Sequence, residues 1–439
     1  TLPSPVHEIR GLKRRISLLL IVMVLLLVLG ILAWLYFPFK NQNKEAVLED
    51  FANRYSSSVA FIVADYWLKD GETYFYRNRT EGTAFLVDKE GFLLTNRHVA
   101  CPWLEDNNLY AIINRLKLLQ KPVHFGYQLF LWFEGEKAFK RLPDFPGSLD
   151  LEDIYFVESA YSTNGVPRLT IAGVAKSPVK TWQIIKSPLK DDFAILKADK
   201  LPEGLEPLPI DYEMEALKIQ KLSPVITLGF PLGNRTQEKM VNVSVTRGHV
   251  RRAFENMLQV DTSIHKGNSG GPIIDTSGKV IGIASRVAVD RMAGPIPIIT
   301  LLPDIGMVLP ITKAAAFLNE LKAGQTKWNG VLDLSVDIKI KQITDLALKG
   351  QWDKARALAD QELKVSFHPL LVMEAGMMHF YSEDFQGAKH LFGQILSMDR
   401  ENSSARLMLF LIDWLKNESA ASPYRQELIS LDWRSPFEF

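Results

Sequence analysis

Residues 16–39 read ISLLLIVMVLLLVLGILAWLYFPF, without one charged side chain. At a rise of about 1.5 Å per residue such a run crosses a hydrocarbon core of about 30 Å, so it reads as a spanning helix. Arg10, Lys13, Arg14 and Arg15 crowd its N-terminal edge, whereas Lys40 and Lys44 beyond it are soon balanced by Glu45, Glu49 and Asp50. The positive-inside rule then sets residues 1–15 in the cytoplasm and everything after Lys40 outside it. A cleaved signal peptide would carry a shorter apolar core, of about 7–15 residues, ending in a small-residue site. This run ends in Trp34, Leu35, Tyr36 and Phe37. The expectation is an uncleaved single-pass membrane anchor, with the rest of the chain extracytoplasmic, in the periplasm if the host is a Gram-negative bacterium.

The whole chain has 439 residues, enough for two or three domains. With 51 basic and 50 acidic side chains it has no long-range field to recruit nucleic acid. The single cysteine, Cys101, excludes an internal disulfide, and the eight scattered histidines form no His-x-x-Glu-His pattern. No metal or other cofactor is expected, and the core must be held by apolar burial.

Residues 46–322 contain short β-branched and aromatic runs, such as 83–87, 92–95, 193–196 and 225–228, separated by Gly, Pro, Asn and Asp. Short strands with frequent turn signals predict a mainly β, antiparallel barrel or sandwich. After Leu318 the texture changes: a stretch near 323–330 leads into helical periodicity over 335–420, followed by a tail at 421–439. Gly350, Trp352, Ala355 and Leu358 align with Glu383, Phe385, Ala388 and Leu391 at a period of 33 residues. That spacing, with the small pair Ala375 and Gly376, resembles a tetratricopeptide repeat, in which small residues let antiparallel helices approach while aromatics fill between stacked pairs. A further helix is predicted over 403–416, with Leu407, Phe410, Leu411 and Trp414 along one face. So few repeats rarely stand alone, so the array is expected to lean on the barrel or on a second copy.

The chemistry concentrates in residues 261–275, DTSIHKGNSGGPIID, where Ser269 sits in a Gly-rich loop between apolar strands. A serine hydroxyl attacks only when a base takes its proton, and acyl transfer also needs N–H groups aimed at the developing oxyanion. Gly267 permits a backbone that points its own N–H and that of Ser269 into one cavity. An ordinary turn has the same composition, so the loop alone decides little. Residues 82–100, GTAFLVDKEGFLLTNRHVA, read as a β-hairpin whose second strand, 92–95, delivers His98 at its end. Asp192 opens another strand, DDFAILKAD, as a carboxylate at the rim of an apolar element. The chain order His98, Asp192, Ser269 is that of the chymotrypsin arrangement and differs from those of subtilisin and the α/β-hydrolases.

TNRHVA, DDFAIL, VITLGFPLG, VTRGHV, HKGNSGGPIIDTSGKVIGI and IGMVLPITKAAAFLNEL, in that order over residues 82–321, resemble the trypsin-like serine proteases of the HtrA (DegP-like) branch. The resemblance implies two six-stranded β-barrels with the site between them. It also implies Ser269 as nucleophile, His98 as general base and then acid, Asp192 as orienter of the imidazole, and the Gly267 and Ser269 amides as oxyanion hole. The stretch 101–190 is longer than that branch places between histidine and aspartate; it reads as an insertion with a helix over 104–119 and a strand over 127–133, able to cover the cleft or bind a partner. Helical repeats stand where PDZ domains would follow. His265 is an extra titratable group beside the loop. Asn268, uncharged, cannot pair with a freshly cut N-terminus, so zymogen clipping is not expected. In trypsin-like folds the primary pocket would involve Ser263, Ile264, Ile283 and Ala284, which offer no charge and predict cleavage after small or medium aliphatic residues.

Two function classes are open. One is a membrane-anchored serine endopeptidase hydrolysing misfolded or regulatory extracytoplasmic proteins, with protein or peptide substrates and self-association or a protein partner at the repeats. The other is a catalytically weak or inactive scaffold whose repeats bind envelope proteins.

Overall fold

The computed structural model describes residues 22–31, 45–141, 154–166, 168–175, 192–292, 298–399 and 402–416. Residues 22–31 form a helix exposed at every position. The rest of the 16–39 run, residues 1–15 and the tail 421–439 lie outside the described residues. Among the described residues no helix is long and apolar enough to cross a membrane.

A helix over residues 45–55 (α1) leads into β1 (Val59–Asp70), whose first six residues, VAFIVA, are all fully buried. Alternate side chains on a strand point to opposite faces, so an unbroken apolar run needs cover on both. Val59, Phe61 and Val63 face a core shared with the second barrel, whereas Ala60, Ile62, Ala64, Tyr66 and Leu68 fill the first. β1 pairs with β2 (Thr73–Leu86), which continues into β3 (Phe92–Thr95) through a tight hairpin with Leu86 opposite Leu93.

Within the described part of 101–190 the chain adds three strands to the sheet of the first barrel. After a short helix α2 (Arg97–Ala100), α3 (Asn107–Leu118) is capped by Asp106, whose Oδ1 accepts from the Asn108 and Leu109 amides. The other oxygen of Asp106 accepts from Tyr66 and Tyr76, fastening α3 to the β1–β2 hairpin. The aromatic run becomes β4 (His124–Phe133), in register with β1 from Ala60–Phe133 to Lys69–His124. A small ribbon, β5 (Phe139–Arg141) with β6 (Ile154–Phe156), stands apart. β7 (Tyr161–Ser162), β8 (Leu169–Val174) and β9 (Ala194–Ala198) complete a sheet in the order β7-β4-β1-β2-β3-β9-β8. The sheet of the first barrel thus has seven strands where the resemblance implied six, and among the described residues no ladder joins its ends, β7 and β8.

The second barrel closes with six: β10 (Pro224–Gly229), β11 (Ser244–Phe254), β12 (Met257–Val260), β13 (Pro272–Asp275), β14 (Val280–Met292) and β15 (Ile298–Pro310). Phe230 meets Phe61 edge-on at 5.4 Å between ring centroids, so the barrels share one apolar seam. Helix α4 (Ile311–Lys322) packs Ile311, Ala314, Ala315, Phe317 and Leu318 into that same core.

A strap from 323 to 335 then crosses to the first barrel, where Trp328 O accepts from Val174 N at 2.8 Å and Gly330 O from Trp103 Nε1 at 2.7 Å. Beyond it lie α5 (Val336–Leu348), α6 (Trp352–Val365), α7 (Pro369–Tyr381), α8 (Phe385–Met398) and α9 (Ser403–Leu415), a C-terminal helical domain. Gly350 and Glu383, aligned in the sequence repeat, both take a left-handed backbone, with φ of 73° and 64°, just before α6 and α8. Gly376 leaves room for the ring of Phe392, so the small pair permits close approach of α7 and α8. On α9 the buried face is Ala405, Met408, Leu409 and Ile412, whereas Leu407 and Trp414 are exposed. A helix apolar on all sides does not announce which side packs.

Candidate active site

β3 ends at Thr95, and Asn96 pins the start of the next helix: its Nδ2 donates to the Asp192 carbonyl at 2.9 Å. α2 then presents His98, whose Nδ1 lies 2.8 Å from Asp192 Oδ2 and whose amide donates to Oδ1 at 3.2 Å. Asp192 is fully buried at the mouth of β9. Ser285 Oγ donates to its Oδ2 at 2.7 Å, and Arg286 Nη2 stands 3.5 Å away. Burial would push this carboxyl up, but the charge and hydrogen bond of His98, with Arg97 and Arg286 beside it, hold it well below the usual carboxylate range. An ionised Asp192 only accepts, so Nδ1 of His98 carries the proton and Nε2 is left as a base.

The Ser269 loop is held by backbone geometry. Gly267 has φ of 101°, and a Cβ there would strike the Phe230 carbonyl, so only glycine fits. Thr83, on β2, donates its amide to Ser269 O at 2.8 Å and its hydroxyl to Gly267 O at 2.7 Å. Asn268 Nδ2 closes the loop on the Ser263 carbonyl at 3.0 Å. Among the described residues no acceptor takes the amides of Gly267 or Ser269. Ser269 Oγ donates to Ser285 O at 2.6 Å, and no hydrogen bond among the described residues joins it to His98. Ser285 therefore touches both parts: its hydroxyl is on Asp192 and its carbonyl on Ser269.

The pocket residues are dispersed. Ser263 is exposed, whereas Ile264, Ile283 and Ala284 belong to the barrel core, and Ile264 packs on Gly306 of β15. His265 is exposed, and its carbonyl accepts from Asn268 N at 3.0 Å. Sequence reasoning missed Ser285 and Thr83; Ser285 lies beside Ser269 only because β13 and β14 pair with Pro272 opposite Ile283.

Residues 148–283, which include Asp192 and Ser269 but not His98, match the family described as the trypsin-like peptidase domain. A serine protease Do-like HtrB of Bacillus subtilis is 29% identical over 147 residues, covering 31% of this chain and 30% of that protein. A probable periplasmic serine endoprotease, DegP-like, of Hahella chejuensis is 30% identical over 198 residues, 42% of this chain and 37% of that one. A solved HtrA-type protease with a decapeptide aligns over 64% of this chain and 68% of its own at 18% identity, with a TM-score of 0.35. The chain thus spans about a third of the length of these two curated relatives, and in that part it is similar to serine proteases of the HtrA and DegP type.

Proposed function

We propose that this chain is a membrane-anchored serine endopeptidase that hydrolyses extracytoplasmic proteins through an acyl-enzyme. The observation that carries the reading is the 2.8 Å bond from His98 Nδ1 to a buried, ionised Asp192, with Ser269 held alongside through Ser285. Attack requires the Ser269 hydroxyl to leave the Ser285 carbonyl and turn to His98 Nε2. The hydroxyl proton passes to Nε2 as Oγ bonds to the substrate carbonyl carbon, and the carbonyl oxygen takes the charge at the Gly267 and Ser269 amides. Collapse breaks the C–N bond, and Nε2 returns its proton to the leaving amine. Water repeats the sequence on the ester and frees Ser269. A fluorophosphonate probe on the purified chain should label Ser269, as read by peptide mass spectrometry. A chain that takes no label and cleaves no unfolded protein favours the scaffold reading instead.

The anchor at 16–39 rests on its uncharged length and on the basic residues before it, which also place the protease outside the cytoplasm. The names of the relatives agree with an extracytoplasmic enzyme acting on proteins. The tetratricopeptide-like reading of 335–420 is supported by the matched left-handed turns at Gly350 and Glu383. Exposed Trp352, Tyr381 and Trp414 leave apolar surface on these helices for a protein segment or a second copy. Deleting 335–439 should spare hydrolysis of a short peptide while changing oligomeric mass or the cleavage of a large substrate. No change in either assay would deny the helices that role.

The pocket reading rests on Ser263, Ile264, Ile283 and Ala284, none of which carries a charge to pair with a cation. An ammonium left unpaired in such a site is strongly penalised, whereas a small aliphatic group gains about 0.8 kcal/mol per buried methylene. Cuts in an unfolded protein should come after Ala, Val, Ile or Leu. Mass-spectrometric mapping that finds mostly Lys or Arg before the cuts would refute this pocket.

A further inference from the structure

Glu81 and Thr83 lie two positions apart on β2 and project from one face of the strand, toward the second barrel. Thr83 grips the Ser269 loop directly, through its amide and its hydroxyl. Glu81 grips the neighbouring turn: Oε2 accepts from Asn234 N at 2.9 Å and Oε1 from Asn234 Nδ2 at 2.8 Å. That turn is tightly wound, with φ of 63° at Leu232 and 57° at Gly233, and Gly233 rests on the carboxylate where a Cβ would strike Oε2. A left-handed leucine is unfavourable by itself and persists only where its surroundings hold it.

Within the same turn Leu232 N donates to Lys266 O at 2.6 Å. In a trans peptide the N–H points opposite the C=O, so fixing the Lys266 carbonyl fixes the direction of the Gly267 N–H. Phe230 O, which blocks any side chain at 267, also accepts from Gly233 N at 2.8 Å. One turn thus sets both the shape of Gly267 and the aim of its amide. We infer that Glu81 is a positioning residue, whose carboxylate holds the 230–234 turn so that the Gly267 amide is aimed at the oxyanion. The inference rests on Ser269 being the nucleophile.

Burial pushes the Glu81 carboxyl up, against the pull of the Asn234 amide and of Lys266, Arg79 and Arg235. An acid whose pKa is raised on folding binds protons more tightly in the folded chain, so its ionised form lowers stability as pH rises through that range.

The test exchanges the partners' roles. Asn234→Asp alone sets two carboxylates together and should lower kcat about 10–100-fold, short of the loss of a whole oxyanion donor. KM for a short peptide should hold, and affinity for a peptide boronate, which needs the oxyanion site, should fall by the same factor. Adding Glu81→Gln to Asn234→Asp keeps the backbone amide of 234 on the side-chain oxygen at 81, re-forms the side-chain bond with donor and acceptor reversed, and should return kcat to within about threefold of wild type. In an active wild-type background, unchanged kcat and boronate affinity in Asn234→Asp, or a double variant no better than the single, would overturn the inference. A wild-type chain that neither labels at Ser269 nor cleaves overturns the underlying reading, and this one with it.

Discussion

Ser269→Ala is expected to abolish peptide-bond hydrolysis, with a loss in kcat of about 10⁶-fold, while the chain stays folded. Among the described residues the side chain makes one hydrogen bond, to Ser285 O, and the loop around it is held by the Thr83 amide and hydroxyl and by Asn268. Removing the hydroxyl leaves one carbonyl short of a donor, a cost of about 1–3 kcal/mol. His98→Ala should lose nearly as much activity, and the double variant scarcely more, because nucleophile and base act as a unit. Turnover of a fluorogenic peptide, with thermal melting as control for folding, measures both. A folded Ser269→Ala protein that still cleaves casein would end the serine-protease reading.

The fold was legible where a residue pattern reports its own surroundings. The 82–100 hairpin announces itself through its turn, and β2 and β3 pair there. The role of the 101–190 stretch was hidden, because the aromatic run of β4 says "strand" but not that β1 is its partner. That pairing is long-range and is decided by register. In the candidate site, His98 and Asp192 stood out by type and position, and the structure brings them into contact. Ser285 and Thr83 did not stand out, because serine and threonine at strand positions are common and only cross-strand placement gives them work. The pocket is hard to read for a related reason: Ile283 and Ala284 are apolar whether they line a cleft or fill a core, and both are buried in the barrel core.

Asp192→Asn should lower kcat about 10⁴-fold, with KM little changed. Oδ2 takes the His98 Nδ1 proton and the Ser285 hydroxyl with Arg286 close by, while Oδ1 takes the His98 amide. A carboxamide has one acceptor oxygen, so its NH₂ must face one of these donors. If it faces the imidazole, the ring is held with its proton on Nε2, the nitrogen that has to accept from Ser269. If it turns the other way, it meets the His98 backbone amide instead. The variant should also be less stable near neutral pH. The folded pKa of Asp192 is depressed, so its carboxylate stabilises the fold above the unfolded value, about 3.9, and that contribution fades as pH falls through the folded value. The gap in melting temperature between wild type and variant should therefore be widest near neutrality and narrow on acidification below about pH 4. A folded Asp192→Asn enzyme with full turnover would move the orienting role to Asp191, and a gap that widens in acid would contradict the charge assigned to Asp192.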